Sequence, residues 1–312
     1  MKILFIGSKT GNSYLQYLAL KKLHNDTDII DSNYIFSSPI IKKIFYQISP
    51  YIFEFFINFY VLKNIKKKYD LIYVRSGEII GKKLIINLKK LTKKIVFFCN
   101  DNPFVKRDKR RWDLFLGAAK YYDKIAFQDK SRISVSKKYG VKNPLLVLPA
   151  YDEKIHQKRK ISLLEKKKFQ NDVVFIGTWS PKKGSFIKSI IHLGLNIKIY
   201  GNRWSNDPNY NLIKKNIIVG HISNPNYTKI IQCSKIALCL FSEENKDTIT
   251  ARSVEIPAIG TLLCSLRTKA MKKIFVENKE AIYFTTPKEC VNKCKYYLKN
   301  KKKTLLIAKR GN

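Results

Sequence analysis

Acidic side chains are scarce in this chain: 23 Asp and Glu stand against 61 Lys and Arg, a formal net charge of +38 over 312 residues. Other ingredients are missing too. None of the six cysteines, Cys99, Cys233, Cys239, Cys264, Cys290 and Cys294, forms a CxxC pair, and most sit in apolar runs. That reads as reduced, buried cysteine of a cytosolic protein and gives no metal motif. The four histidines, His24, His156, His192 and His221, show no ligand spacing either. No apolar stretch reaches the ~20 residues that span a bilayer. The nearest approach, residues 34–62, is interrupted by Lys42, Lys43, Pro50 and Glu54. The apolar start at residues 1–7 ends at Ser8-Lys9-Thr10-Gly11, too soon for a secretory signal. The chain therefore reads as cytoplasmic.

What is present is ordinary globular composition, 45% hydrophobic and 27% charged, which excludes wholesale disorder. A length of 312 residues predicts two domains. The positive excess draws phosphate, whether in nucleic acid, anionic lipid or a nucleotide. Its bland alternative is compositional drift, since the lysines are spread along the chain and form no single tail or stripe.

Residues 3–6 are an apolar run followed by Gly7 and Gly11 and then a helical pattern through Leu15, Leu18, Leu20 and Leu23. Strand, glycine-bearing turn and helix is how a doubly wound α/β domain opens. Strand patterns recur at 28–30, 71–74, 95–99, 124–127 and 145–148, with helical stretches at 82–92 and 111–121. A second series starts at 173–176 and continues through 197–200, 217–219, 236–241, 261–264 and 281–284. Alternation of this kind implies parallel sheets. The reading is an α/β protein with an N-terminal Rossmann-like domain over 1–150, a polar linker over 151–170 and a C-terminal Rossmann-like domain over 171–312. Ligands of such domains sit at the carboxyl ends of the strands, so a cleft between the two is the expected site.

The segment most informative about chemistry is residues 244–260, after the strand at 236–241. Asp247 and Glu255 are separated there by seven residues. A helix beginning near Thr248 or Thr250 offers free amides and a dipole to an anion, and a diphosphate fits. Asp247 would precede that helix on the sugar side, and Glu255, about two turns on, would take two ribose hydroxyls. The bland alternative is a helix cap with a solvated Glu255.

This segment resembles the E-x7-E element of GT-B-fold glycosyltransferases, with Asp247 in place of the first glutamate. Residues 247–261, ending Arg252-Ser253-Val254-Glu255-Ile256-Pro257-Ala258-Ile259-Gly260-Thr261, are similar to the spore-maturation-protein-like (CgeB-type) enzymes. Residues 175–178, 199–204, 275–281 and 296–298 continue the likeness, and residues 100–103, 122–123 and 148–150 extend it thinly into the first half. The resemblance implies a nucleotide-diphosphate-sugar donor bound mainly by the second domain. Glu255 would hold the ribose and Asp247 would lie by the donor hexose. Amides around Thr248, Thr250, Ala251 and Arg252 would hold the diphosphate. Gly177, Thr178 and Gly201 would allow close approach of the donor. Lys183 would neutralise the leaving diphosphate with no metal, and His221 would lie by the base. Each has a bland counterpart: a turn glycine, a solvated lysine, a capping histidine.

In the first domain Asp101, just past the strand at 95–99, is the candidate base for an acceptor hydroxyl; its counterpart is an Asx-turn with Asn100 and Pro103. The expected acceptor is a glycan, lipid or protein hydroxyl. No cofactor and no specific nucleic acid is expected. Two other readings compete: a nonspecific nucleic-acid binder, on charge alone, and a sugar-nucleotide epimerase on the same fold. GT-B enzymes usually finish with a helix crossing back to the first domain, and here it reads as short or absent. Finally, residues 34–68 combine nine aromatic rings between Phe36 and Tyr60 with Lys42, Lys43 and Lys66-Lys67-Lys68. They read as core, with contact to an anionic membrane as the alternative.

Overall fold

A computed structural model describes residues 1–312, which divide into two compact units, Met1–Leu148 and Pro149–Asn312. The first carries a six-stranded parallel sheet of β1 (Ile3–Gly7), β2 (Thr27–Asp31), β3 (Tyr69–Val74), β4 (Thr92–Cys99), β5 (Lys124–Phe127) and β6 (Pro144–Leu146) in the order β2-β1-β3-β4-β5-β6. All five residues of β1 are buried, as a central strand covered on both faces requires.

The second unit holds β7 (Asn171–Ile176), β8 (Ile197–Gly201), β9 (Ile217–Val219), β10 (Ser234–Cys239), β11 (Leu262–Leu266) and β12 (Ile282–Phe284), in the order β12-β11-β10-β7-β8-β9, all parallel. Successive residues of β7 serve opposite faces. Val173 and Phe175 join one core, with Ile187, Trp204 and Leu238; Val174 and Ile176 join the other, with Tyr227, Ile256 and Leu263. The chain leaves β7 toward β8 and later returns to β10 on its other side. The strand order therefore reverses between β7 and β10, which marks the crevice at their carboxyl ends.

One expectation is corrected. Residues 151–170 are not a free linker but part of the second unit. Ser162 and Glu165 form a capping box on the helix Leu163–Phe169, and Phe169 is buried. Arg159 and Gln232 exchange hydrogen bonds of 2.8 Å, and Thr228 Oγ1 donates to the Ile155 carbonyl at 2.8 Å. The last helix, Lys301–Gly311, packs on the second unit itself. Ile307 and Ala308 enter the core, and Asn312 donates to the carbonyls of Pro257 and Ala258 at 2.8 Å. Gly311 is required there, because a Cβ would lie 2.3 Å from the Glu280 carbonyl.

Candidate functional site

The crevice between β7 and β10 is built from two loops and two helix starts. After β7, Gly177-Thr178-Trp179-Ser180 turns into the helix Pro181–His192. Two indoles fasten this turn. Trp204, fully buried, donates to the Gly177 carbonyl at 2.9 Å, and Trp179 donates to Asp207 Oδ2 at 2.8 Å. Gly184 makes room for the second contact, since a Cβ would stand 2.0 Å from Asp207 Oδ2. Gly201, at φ +151°, backs the turn so closely that a Cβ would meet the Gly177 carbonyl oxygen at 2.2 Å. Gly177 and Gly201 are thus a pair that sets the height of one loop, with Thr178 exposed on it.

After β10, residues 240–251 lead to the helix Arg252–Ile259, whose N-cap residue Ala251 makes no side-chain cap bond. Thr250 instead donates its amide to Ser253 Oγ at 3.2 Å, and the Thr248 carbonyl accepts from Thr268 Oγ1 at 2.8 Å. The loop thereby delivers the helix start to the carboxyl edge of the sheet, where the dipole favours negative charge; the amides of Ser253 and Val254 are already taken by the Thr250 and Ala251 carbonyls at 3.0 Å.

The charges at this edge are arranged around Lys183, which projects from the first turn of Pro181–His192. Burial depresses the Lys183 ammonium below the usual lysine range, and the neighbouring Arg252 charge adds to this. Glu244 and Asp247 act in the opposite sense. The Arg252 Nε is buried and finds no hydrogen-bond partner. Two cations close enough to oppose one another, one with an unpartnered donor, together with the nearby carboxylates of Glu244 and Asp247, form a charged edge that an anion could join. Asp247 is held in place by its amide bond to the Ser242 carbonyl at 3.0 Å and by Asn245 Nδ2, which donates to Oδ1 at 2.6 Å. Burial raises the Glu244 carboxyl. Bonds from its own amide and from Ser242, with the charge of Lys183, outweigh this and hold it below the usual range.

Glu255 lies in the first turn of Arg252–Ile259, 8% exposed, so it is not the solvated charge of the bland reading. The Tyr227 hydroxyl donates to its Oε2 at 2.8 Å. Burial, and then the Glu255 charge, push that phenol well above its ordinary value. His156 Nε2 stands 3.8 Å from Glu255 Oε1. His156 Nδ1 accepts the Asp152 amide at 2.9 Å, which leaves Nε2 to carry the ring proton. Glu255 is thus an oriented acceptor with polar company on both oxygens.

Sequence reasoning missed both partners. Tyr227 carries no motif, and His156 falls in the stretch read as linker. The spacing Asp152-x3-His156, which closes the amide-to-imidazole bond, is the one local signal. Lys183, Asp247, Thr248, Thr250, Ala251, Arg252, Glu255, Gly177, Thr178 and Gly201 all lie on the loops and helix starts that follow β7, β8 and β10. His221 is exposed just past the edge strand β9, where the adjacent Gly220 amide donates to the Gly201 carbonyl at 3.1 Å.

Asp101 does not stand free. Within the first unit its two oxygens accept from Arg107 at 3.0 Å and Arg111 at 3.3 Å, and Arg111 continues to Glu78 at 2.8 Å. Each oxygen keeps a second lone pair and the side chain is 35% exposed, so these ion pairs orient Asp101 without closing it to a further donor.

No curated protein matches the chain. Among solved structures, Anabaena HepE in complex with UDP is similar at 13% identity, with all of this chain and 93% of that chain covered and a TM-score of 0.66. Sucrose-phosphate synthase from Thermosynechococcus elongatus matches at 9% identity over 100% and 93% of the two chains, TM-score 0.68. The UDP-forming trehalose-phosphate synthase from Burkholderia xenovorans matches at 11% over the same shares, TM-score 0.64. These likenesses fix the fold as GT-B. Residues 183–312, which carry Lys183, Asp247, Arg252 and Glu255, match the family model described as glycosyl transferase-like. The chain thus carries a glycosyl transferase-like sequence over residues 183–312 on a GT-B fold.

Proposed function

We propose that the chain transfers a sugar from a nucleotide-diphosphate-sugar to an acceptor hydroxyl, with the donor seated between the loops after β7 and β10. The observation that supports this most is the pair Lys183 and Arg252 beside the start of Arg252–Ile259, with the buried carboxylate of Glu255 in the same first turn. In this reading the diphosphate lies on the start of Arg252–Ile259. Lys183 and Arg252 neutralise it and stabilise it as a leaving group, so the cation that a divalent ion supplies elsewhere comes from side chains. Glu255 accepts the ribose hydroxyls. Asp247, placed ahead of the helix, takes the hexose side, where its charge favours a donor carbon that becomes cationic as the diphosphate departs. The Gly177-Thr178 turn brings backbone within reach of the phosphates.

Within the glycosyltransferases, residues 247–261 support placement with the spore-maturation-protein-like type. The acceptor proposed is a hydroxyl of a glycan or lipid carrier, reached through a peripheral contact with an anionic membrane.

A thermal-shift screen of nucleoside diphosphates and their sugars tests the donor site, since a ligand of the folded state raises its apparent stability by mass action. A rise with one nucleoside diphosphate, abolished in Lys183→Ala/Arg252→Ala and independent of added EDTA, is the expected result. No rise with any of them removes the donor reading. Conversion of the sugar-nucleotide without an acceptor would indicate an epimerase instead.

A further inference from the structure

The aromatic segment, residues 34–68, resolves into two faces. Inward, Phe45, Ile57 and Val61 are completely buried, and Phe36, Phe53 and Tyr60 pack against them. That part of the stretch is core. The outward face is apolar as well. Along the 3-10 turn Pro50–Phe53 and the helix Glu54–Lys63, Ile52 is 62% exposed, Phe55 83%, Phe56 45% and Phe59 56%. Spacings of three and four residues put these side chains on one stripe, and Ile48 and Tyr51, also exposed, extend it. A helix apolar on every side is normally buried on every side; this one is buried on one side only.

Charge along the segment is one-sided. Lys42, Lys43, Lys63, Lys66 and Lys68 of the same segment are exposed, and Lys63 Nζ lies 5.6 Å over the Phe59 ring of the stripe. The only acid among residues 32–69 is Glu54, and it is turned inward: its Oε1 stands 2.6 Å from where a Cβ of Gly81 would be. The face toward solvent is thus phenyl and isoleucyl side chains in a segment with exposed ammonium groups, with no carboxylate of its own segment to repel phosphate. A protein surface would have to match this with an acidic rim. A bilayer interface containing anionic lipid matches it without specific design, because the rings enter the headgroup boundary and the lysines meet phosphate.

We propose that this face seats on an anionic membrane surface, and that the acceptor of the transfer is therefore carried by a lipid. The membrane contact stands on the surface alone; the acceptor class rests on the donor reading above. The full chain should co-sediment with phosphatidylglycerol-containing vesicles and far less with pure phosphatidylcholine. Phe55→Ser/Phe59→Ser, two exposed positions whose change leaves the core intact, should lower the vesicle partition coefficient by about tenfold or more with an unchanged melting curve. Lys42→Gln/Lys43→Gln/Lys63→Gln should lower binding to anionic vesicles only. Both variants should keep the wild-type response to nucleoside diphosphate.

The proposal is overturned if the wild type stays in the supernatant with anionic vesicles at low salt. It is overturned equally if binding is indifferent to the Phe55/Phe59 change and vanishes with salt, which would be the bare effect of the net charge. It is also overturned if light scattering shows a dimer that this change dissociates, since the face would then meet a second copy. Vesicle binding without any response to nucleoside diphosphates would sink the donor reading and leave the surface standing.

Discussion

Replacing Glu255 by alanine removes an acceptor that the fold has fully equipped. Its Oε2 takes the Tyr227 hydroxyl at 2.8 Å, and its side chain is nearly out of solvent. Two losses are expected, and they are separable. A hydrogen bond between a charged group and a ligand is worth about 1.5–3 kcal/mol. At about 1.4 kcal/mol per decade, the nucleoside diphosphate should bind roughly 10- to 150-fold more weakly. The Tyr227 hydroxyl is also left buried without its acceptor, which costs stability by about 1–3 kcal/mol. Tyr227→Phe isolates that second term: it keeps the carboxylate and loses only the phenol. Titration calorimetry with the nucleoside diphosphate, beside a thermal melt, reads both quantities. Glu255→Ala should lose affinity and stability together, whereas Tyr227→Phe should lose stability with most of the affinity retained. Equal affinity loss in the two variants would mean that Glu255 acts only through packing. Unchanged affinity in Glu255→Ala with a folded protein would refute its contact with the ligand.

Three further outcomes follow from the same site. The Lys183 ammonium is depressed in the free protein by burial and by Arg252, and a bound diphosphate raises it again. Affinity should therefore be full below the free-state value and fall as pH climbs through the alkaline range toward the ligand-bound value, with proton uptake detectable across buffers of different ionisation enthalpy; a pH profile identical in Lys183→Arg would assign the titration elsewhere. Asp247→Asn should lower turnover more than it weakens the bare nucleoside diphosphate, because the carboxylate is placed toward the sugar, and equal losses would move it to the phosphates. Gly201→Ala puts a Cβ 2.2 Å from the Gly177 carbonyl oxygen at φ +151°. It should cost about 1–3 kcal/mol of stability and displace the phosphate-side turn; an unchanged melt with intact donor binding would show that the two loops are not packed back to back.

Periodicity alone determined the α/β class and most strands, because parallel strands buried on both faces appear as short apolar runs at any register. A helix after Asp247 was legible from the same local pattern, but it begins at Arg252 and not near Thr248 or Thr250, so the loop over residues 240–251 sets the separation of Asp247 from Glu255. Tertiary structure decided what surrounds them. That Glu255 is buried depends on Tyr227, 28 residues earlier, and on His156 in a stretch whose lysine-rich composition resembles a linker. Its backbone is nonetheless tied down by Thr228 and Gln232. Asp101 illustrates the converse. Its position after a strand gave no sign that Arg107 and Arg111, brought back by the following turns, pair with both oxygens. In the aromatic stretch the sequence gives one count of rings for two faces, and only the packing of Ile57 and Val61 inward shows that Phe55 and Phe59 are left in solvent. Local order is written in neighbours a few residues apart. Burial, charge pairing and exposure are set by residues that meet only once the chain has folded.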